Sequence, residues 1–136
     1  MNIYLDIDGV LLVNETHAAN YADDFIQAVL EKYPDSTYWL TTHNWKGENR
    51  TKAVLAPHLK PETIELLDRI KESEWGELKT DAIDFDQDFL WFDDDLWPAE
   101  LKTLEKNEAL EQFVMVDLQK DPDMLQKLTQ VIKSNA

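Results

Sequence analysis

Apolar residues fall along this chain in short blocks separated by polar turns, and the spacing inside each block predicts its element. Residues 2–7 form a compact apolar, β-branched run that reads as a buried strand ending at Asp6-Ile7-Asp8. Beyond Thr16, a candidate N-cap, Ala18, Ala22, Phe25, Ile26, Val29, Leu30 and Tyr33 recur at helical spacing, and Pro34 closes the helix. Residues 37–41, Thr-Tyr-Trp-Leu-Thr, predict a second strand. Residues 49–59 predict a helix with Pro57 near its end. Residues 61–70 fit either a helix or a short strand around Ile64 to Leu67, and periodicity leaves both open. Residues 79–85 suggest a short helix capped by Thr80. Residues 89–92, Phe-Leu-Trp-Phe, are apolar throughout and predict a strand buried on both faces, running into Asp93-Asp94-Asp95. Pro98 suits the first position of a helix that turns Leu101 and Leu104 inward. Residues 113–116 predict a fourth strand. Asp121-Pro122 signals the start of a last helix with Leu125, Leu128, Val131 and Ile132 on one face.

Strands alternate with helices, which predicts an α/β fold: a three-layer, Rossmann-like parallel sheet of four to five strands with helices on both faces. No repeat or low-complexity linker interrupts it, and 3 Gly and 5 Pro leave few breaks, so residues 1–136 read as a single domain. In such sheets ligands bind beyond the carboxyl ends of the strands. Asp6, Asp8, Thr41, Thr42, Asp93 and Asp94 all fall at those ends.

Charge narrows the partners. The chain carries 28 acidic against 13 basic residues, a net charge of -15. That argues against a broad nucleic-acid interface or an anionic membrane, both of which need clustered Lys and Arg. It also raises the prospect that a few carboxylates gather around a cation. The absence of cysteine rules out disulfides, thiolate metal sites and a cysteine nucleophile. No basic flank or long apolar stretch marks a signal peptide or membrane span, so the cytoplasm is the expected location.

Asp6-Ile7-Asp8-Gly9 sets two carboxylates at a strand end where Gly9 lets the chain turn. Like charges crowded in a shielded pocket repel unless a proton or cation lies between them. Mg²⁺, which prefers oxygen ligands, is the natural candidate. At this point the chain resembles the haloacid dehalogenase (HAD) superfamily, whose first motif is Asp-x-Asp-Gly-Thr or Asp-x-Asp-Gly-Val after a hydrophobic strand. The resemblance continues in order through Tyr38-Trp39-Leu40-Thr41, the isolated Lys79, and Phe89-Leu90-Trp91-Phe92-Asp93-Asp94.

The resemblance implies a magnesium-dependent phosphohydrolase acting on a phosphomonoester. Asp6 would be the nucleophile that forms an aspartyl-phosphate. Asp8 would be general acid and then base, with its backbone carbonyl on the metal. Thr41, favoured over Thr42, would bind phosphate. Lys79, with Lys71 as the fallback, would neutralise charge on the transferring group. Asp6, Asp8, Asp93 and Asp94 would serve the metal. The stretches between the motifs leave room for a crossover and little else, so no cap domain is expected. His43 and Trp45 should lie near the site, while His17 and His58 receive no role and the five tryptophans read mostly as core. Three alternatives remain. One is a non-catalytic binding protein on the same fold, and another is a phosphatase of nucleic-acid ends. The third is a receiver-like phosphoacceptor domain, although there the paired acids precede the accepting Asp, the reverse of the order here.

Overall fold

The computed structural model describes residues 1–135. Strand β1 (Asn2–Leu5) opens the chain. A hairpin of β2 (Leu12–Asn14) and β3 (His17–Ala18) follows, then helix α1 (Ala22–Lys32) and strand β4 (Thr37–Trp39). A second small hairpin pairs β5 (Asn44–Trp45) with β6 (Glu48–Asn49) and leads to helices α2 (Thr51–Leu55) and α3 (Pro61–Leu66). Strand β7 (Phe89–Asp93), helix α4 (Pro98–Lys106), strand β8 (Phe113–Met115) and helix α5 (Met124–Ser134) complete the order.

The four long-range strands form one parallel sheet in the order β4-β1-β7-β8. Its two faces are covered separately. On one, Ile3, Leu5 and Phe92 pack against Phe25, Ile26 and Val29 of α1 and Leu125, Leu128 and Ile132 of α5. On the other, Tyr4, Trp91 and Phe89 pack with Leu104 of α4, Ile83 and Ala109. The double-sided burial explains why β1 and β7 are apolar without alternation. Among the described residues, no helix is long and apolar enough to cross a membrane.

Several boundaries differ from the sequence expectation. The first helix begins at Ala22, not after Thr16. Thr16 lies instead in the turn of the β2–β3 hairpin, where its N–H and hydroxyl both donate to Asn14 Oδ1 at 2.9 and 2.8 Å. An Asx turn of this kind competes with helix initiation for the same donors. The predicted helix over 49–59 contracts to α2, because residues 44–49 are taken by the second hairpin. Residues 61–70 form α3 and a 3-10 turn, Leu67–Arg69. The strand alternative around Ile64 to Leu67 does not form; beyond it Lys71 makes a single parallel bridge to Tyr38, with Lys71 N–H donating to Thr37 O and Trp39 N–H to Lys71 O. The final helix starts at Met124 rather than at Asp121-Pro122, and Val131 is 54% exposed instead of facing the core.

Candidate active site

The site follows from register. Leu5 on β1 pairs with Phe92 on β7, so the next residues, Asp6 and Asp93, emerge side by side at the carboxyl end of the sheet. Asp6 N–H donates to Phe92 O at 3.1 Å, which fixes that adjacency. Both carboxylates are buried, Asp93 at 1% exposure and Asp6 at 6%. Each is oriented by the backbone through one oxygen. Asp6 Oδ1 accepts from Ile7 N–H at 2.8 Å, and Asp93 Oδ1 from Asp94 N–H at 2.8 Å and Asp95 N–H at 3.3 Å. The remaining oxygens converge on one cation, Lys79 Nζ, at 2.7 Å from Asp93 Oδ2 and 3.3 Å from Asp6 Oδ2.

Lys79 reaches this position from a 3-10 turn, Lys79–Ala82, that is anchored by Glu100. Glu100 is buried near the start of α4; its Oε2 accepts from Lys79 N–H and its Oε1 from Trp97 N–H, both at 3.0 Å. One carboxylate thus ties the lysine-bearing turn to a helix N-terminus, where a negative charge is favoured. Burial is the largest influence on Lys79 and works against its charge, but Asp6 and Asp93 together outweigh it and hold the ammonium above its usual value. Burial, reinforced by the Asp6 charge, pushes the Asp93 carboxyl up to about 8 in spite of Lys79.

Asp94 adds a third carboxylate at the solvent side. One oxygen from each of Asp6, Asp93 and Asp94 lies within 4.8 Å of the others. With all three ionised, the carboxylates exceed the one ammonium by two negative charges, the amount a divalent cation would balance. The all-oxygen donor set suits a hard ion such as Mg²⁺.

Asp8 stands where the chain turns, 60% exposed at its side chain, and its Oδ2 accepts from His43 Nε2 at 2.9 Å. Its side chain is outside the three-carboxylate group, though it lines the same cavity. The turn depends on Gly9, whose φ of +78° is costly for any residue with a Cβ. A Cβ there would also come within 2.7 Å of Asp94 Cβ and closer still to its carboxyl group. Gly9→Ala should therefore displace Asp94 and weaken divalent-cation binding by about tenfold or more. Isothermal titration with Mg²⁺ checks this, and unchanged affinity would show that Asp94 is not needed for the ion.

Strand β4 stops at Trp39, which fixes the roles available to the two threonines. Thr41 is fully buried, and its Oγ1 accepts from His43 N–H at 3.3 Å, bracing the loop from behind. Thr42 is the one that lines the cavity. Lys71 is held at the sheet edge with its Nζ over the Tyr38 ring, away from the carboxylates.

The cavity in front of these groups has a volume of about 500 Å³. Besides the acids, Thr42 and Lys79, it is lined by Lys46, Trp45, Trp75 and Trp97. The reading of the tryptophans as core holds for Trp39 and Trp91, and in part for Trp75, which packs against the second core cluster. Sequence reasoning missed Glu100, Trp75 and Trp97. For Glu100 a signal existed, an acid at the third position of a helix opened by Pro98. For Trp75 and Trp97 the signal was their polar or turn-forming neighbours, Glu74-Trp75-Gly76 and Trp97-Pro98, in place of an apolar run.

Comparison with known proteins gives no match: no protein-family model, curated protein or solved structure is significantly similar to this chain.

Proposed function

We propose that the chain is a magnesium-dependent phosphohydrolase of the HAD type, acting on a phosphomonoester through an aspartyl-phosphate at Asp6. The observation that carries this reading is the shared grip of Lys79 on Asp6 and Asp93 across adjacent strand ends. Three buried or partly buried charges with no apolar alternative are poor stabilisers of a fold. They are well arranged to receive a dianion and a divalent cation.

On this reading Asp6 Oδ2 attacks phosphorus while the bond to the leaving oxygen breaks. Lys79 reduces the repulsion between that carboxylate and the incoming phosphoryl group. Asp8 gives its proton to the leaving oxygen. It then takes one from the water that attacks the aspartyl-phosphate, which releases inorganic phosphate and restores Asp6. His43 holds the Asp8 carboxyl in reach through the 2.9 Å hydrogen bond. Thr42 offers a hydroxyl to a phosphate oxygen from the cavity wall. Magnesium, held by Asp6, Asp93 and Asp94 with the Asp8 backbone carbonyl, would supply electrostatic shielding between the two anions.

No cap domain is part of this proposal. The connections flanking β4 hold two small hairpins and helices α1 to α3, so the walls of the site are the chain's own loops. The cytoplasm is the proposed setting, and a chain without cysteine suits that reducing compartment.

Hydrolysis of an aryl phosphate tests the reading. Turnover is expected with Mg²⁺, should vanish with EDTA and should return when Mg²⁺ is restored in excess. Absence of turnover, together with absence of beryllofluoride binding in the presence of Mg²⁺, would overturn it.

A further inference from the structure

Trp45, Trp75 and Trp97 line the cavity that holds the carboxylates, and of the three Trp75 also packs against the second core cluster. Trp97 is 56% exposed, an unusual state for the largest apolar side chain. Its indole N–H is tied to Asp95 Oδ2 at 3.2 Å, which restricts the ring. Trp45 is fixed more firmly. Its Nε1–H donates to Gly76 O at 2.9 Å, and its ring stacks on Trp75 with centroids 5.4 Å apart and planes inclined by 26°. Lys46 Nζ lies 4.4 Å from the centre of the same ring. Trp75 and Lys46 thus cover the Trp45 ring, and the exposed indole of Trp97 is the flat surface left open in the cavity that contains Asp6 and Lys79.

The polar lining limits what such a surface can take. Beyond Lys79, the lining supplies a single cation, Lys46, against exposed carboxylates at Glu77 and Asp95. A ligand carrying two or three phosphates would meet repulsion here. One phosphate at Asp6 and a neutral ring with N–H donors, directed at those carboxylates, would not. The cavity's 500 Å³ lies within the range that encloses small ligands.

We propose that the organic part of the substrate is a flat heteroaromatic base, carried by a nucleoside monophosphate and stacked against the Trp97 indole, with the Trp45–Trp75 pair lining the same cavity. The inference rests on the phosphohydrolase reading of the same site. Base-on-indole stacking strengthens binding by roughly 5- to 150-fold per base, so the preference should be measurable without catalysis.

The experiment measures affinity by quenching of tryptophan fluorescence in the Asp6→Asn protein with Mg²⁺. The probes are adenosine monophosphate, ribose phosphate and phenyl phosphate. Adenosine monophosphate should bind at least about tenfold more tightly than ribose phosphate. The ratio between them should collapse in Trp97→Ala. Equal affinities for the two probes, or a ratio unmoved by Trp97→Ala, would overturn the proposal. Phenyl phosphate binding as well as adenosine monophosphate would overturn the nucleotide assignment in favour of a bare aryl ester. The outcome stays separable from the activity question. Tryptophan-dependent nucleotide binding by a protein that neither turns over aryl phosphate nor binds beryllofluoride would sink the phosphohydrolase reading and leave only a nucleotide-binding site, whereas turnover of aryl phosphate without nucleotide preference would sink this inference alone.

Discussion

Asp6→Asn is expected to lower kcat on an aryl phosphate by about 10⁴-fold or more while leaving the chain folded. The amide has the shape of the carboxylate and can still accept the Ile7 N–H at its oxygen, so the local turn has no reason to change. What is lost is the anionic oxygen that faces Lys79, the only atom of Asp6 placed to attack. Stability should move the other way. In the metal-free protein Asp6 and Asp93 are buried neighbours that share one ammonium, and the Asp6 charge helps drive Asp93 up to about 8. Removing that charge relieves the repulsion, and Lys79 keeps its 2.7 Å contact with Asp93. The variant's melting temperature in EDTA at about pH 8 should therefore equal or exceed that of the wild type. Steady-state kinetics and thermal melts check both halves. Activity retained at even a hundredth of wild type would rule out Asp6 as nucleophile. A collapse in melting temperature would mark it as a structural residue.

The ease of reading Asp6, Asp8, Asp93 and Asp94 in the sequence has a physical basis. β1 and β7 are buried on both faces, so they show as unbroken apolar runs, and a carboxylate at the end of such a run stands out. The adjacency of β1 and β7, which are not consecutive in the chain, comes from the sheet order β4-β1-β7-β8 and has no signature in the local pattern. The two hairpins were illegible because strands of two or three residues have no period to detect. One of them also disguised the start of α1, since Ala18 and Ala22 happen to fall at helical spacing across a boundary. The choice between Thr41 and Thr42 turned on where β4 ends. The strand stops two residues before Thr41, so hydrogen bonding in the loop decides which hydroxyl meets the cavity, and strand alternation does not. Glu100 and Trp97 were hidden for another reason. Their partners and neighbours at the site, Lys79 and Trp75, lie some twenty residues away in the chain, and only the packing of α4 against the 3-10 turn brings them together.

Lys79→Met carries the second large effect, and its size should depend on pH. Lys79 is the single cation between two buried carboxylates, and removing one side of such a contact typically costs about 3 kcal/mol. The pH dependence follows from Asp93. Its carboxyl is raised to about 8 from an ordinary value of 3.8, so the folded chain keeps a proton that the unfolded chain releases. Metal-free wild type should thus lose stability as pH climbs through that window, by up to about 1.4 kcal/mol per unit from this group. Lys79 stays charged throughout, because its own raised value lies above the window. The charge and the hydrogen bond that hold Asp93 down both come from this ammonium, so in Lys79→Met the acid retains its proton to still higher pH. At about pH 5 Asp93 keeps its proton with or without Lys79, so the cost there is that of leaving Asp6 without its cation. At about pH 8 the wild type gains from an ionised, paired Asp93 and the variant cannot, so the gap between them should widen. Excess Mg²⁺ should then stabilise the variant more at the higher pH, where fewer protons compete for the carboxylates. Urea titrations at the two pH values, each with EDTA and with Mg²⁺, measure all four conditions. A destabilisation that is equal at both and untouched by Mg²⁺ would mean that Lys79 acts as a packing residue and that Asp6, Asp93 and Asp94 do not form a cation site.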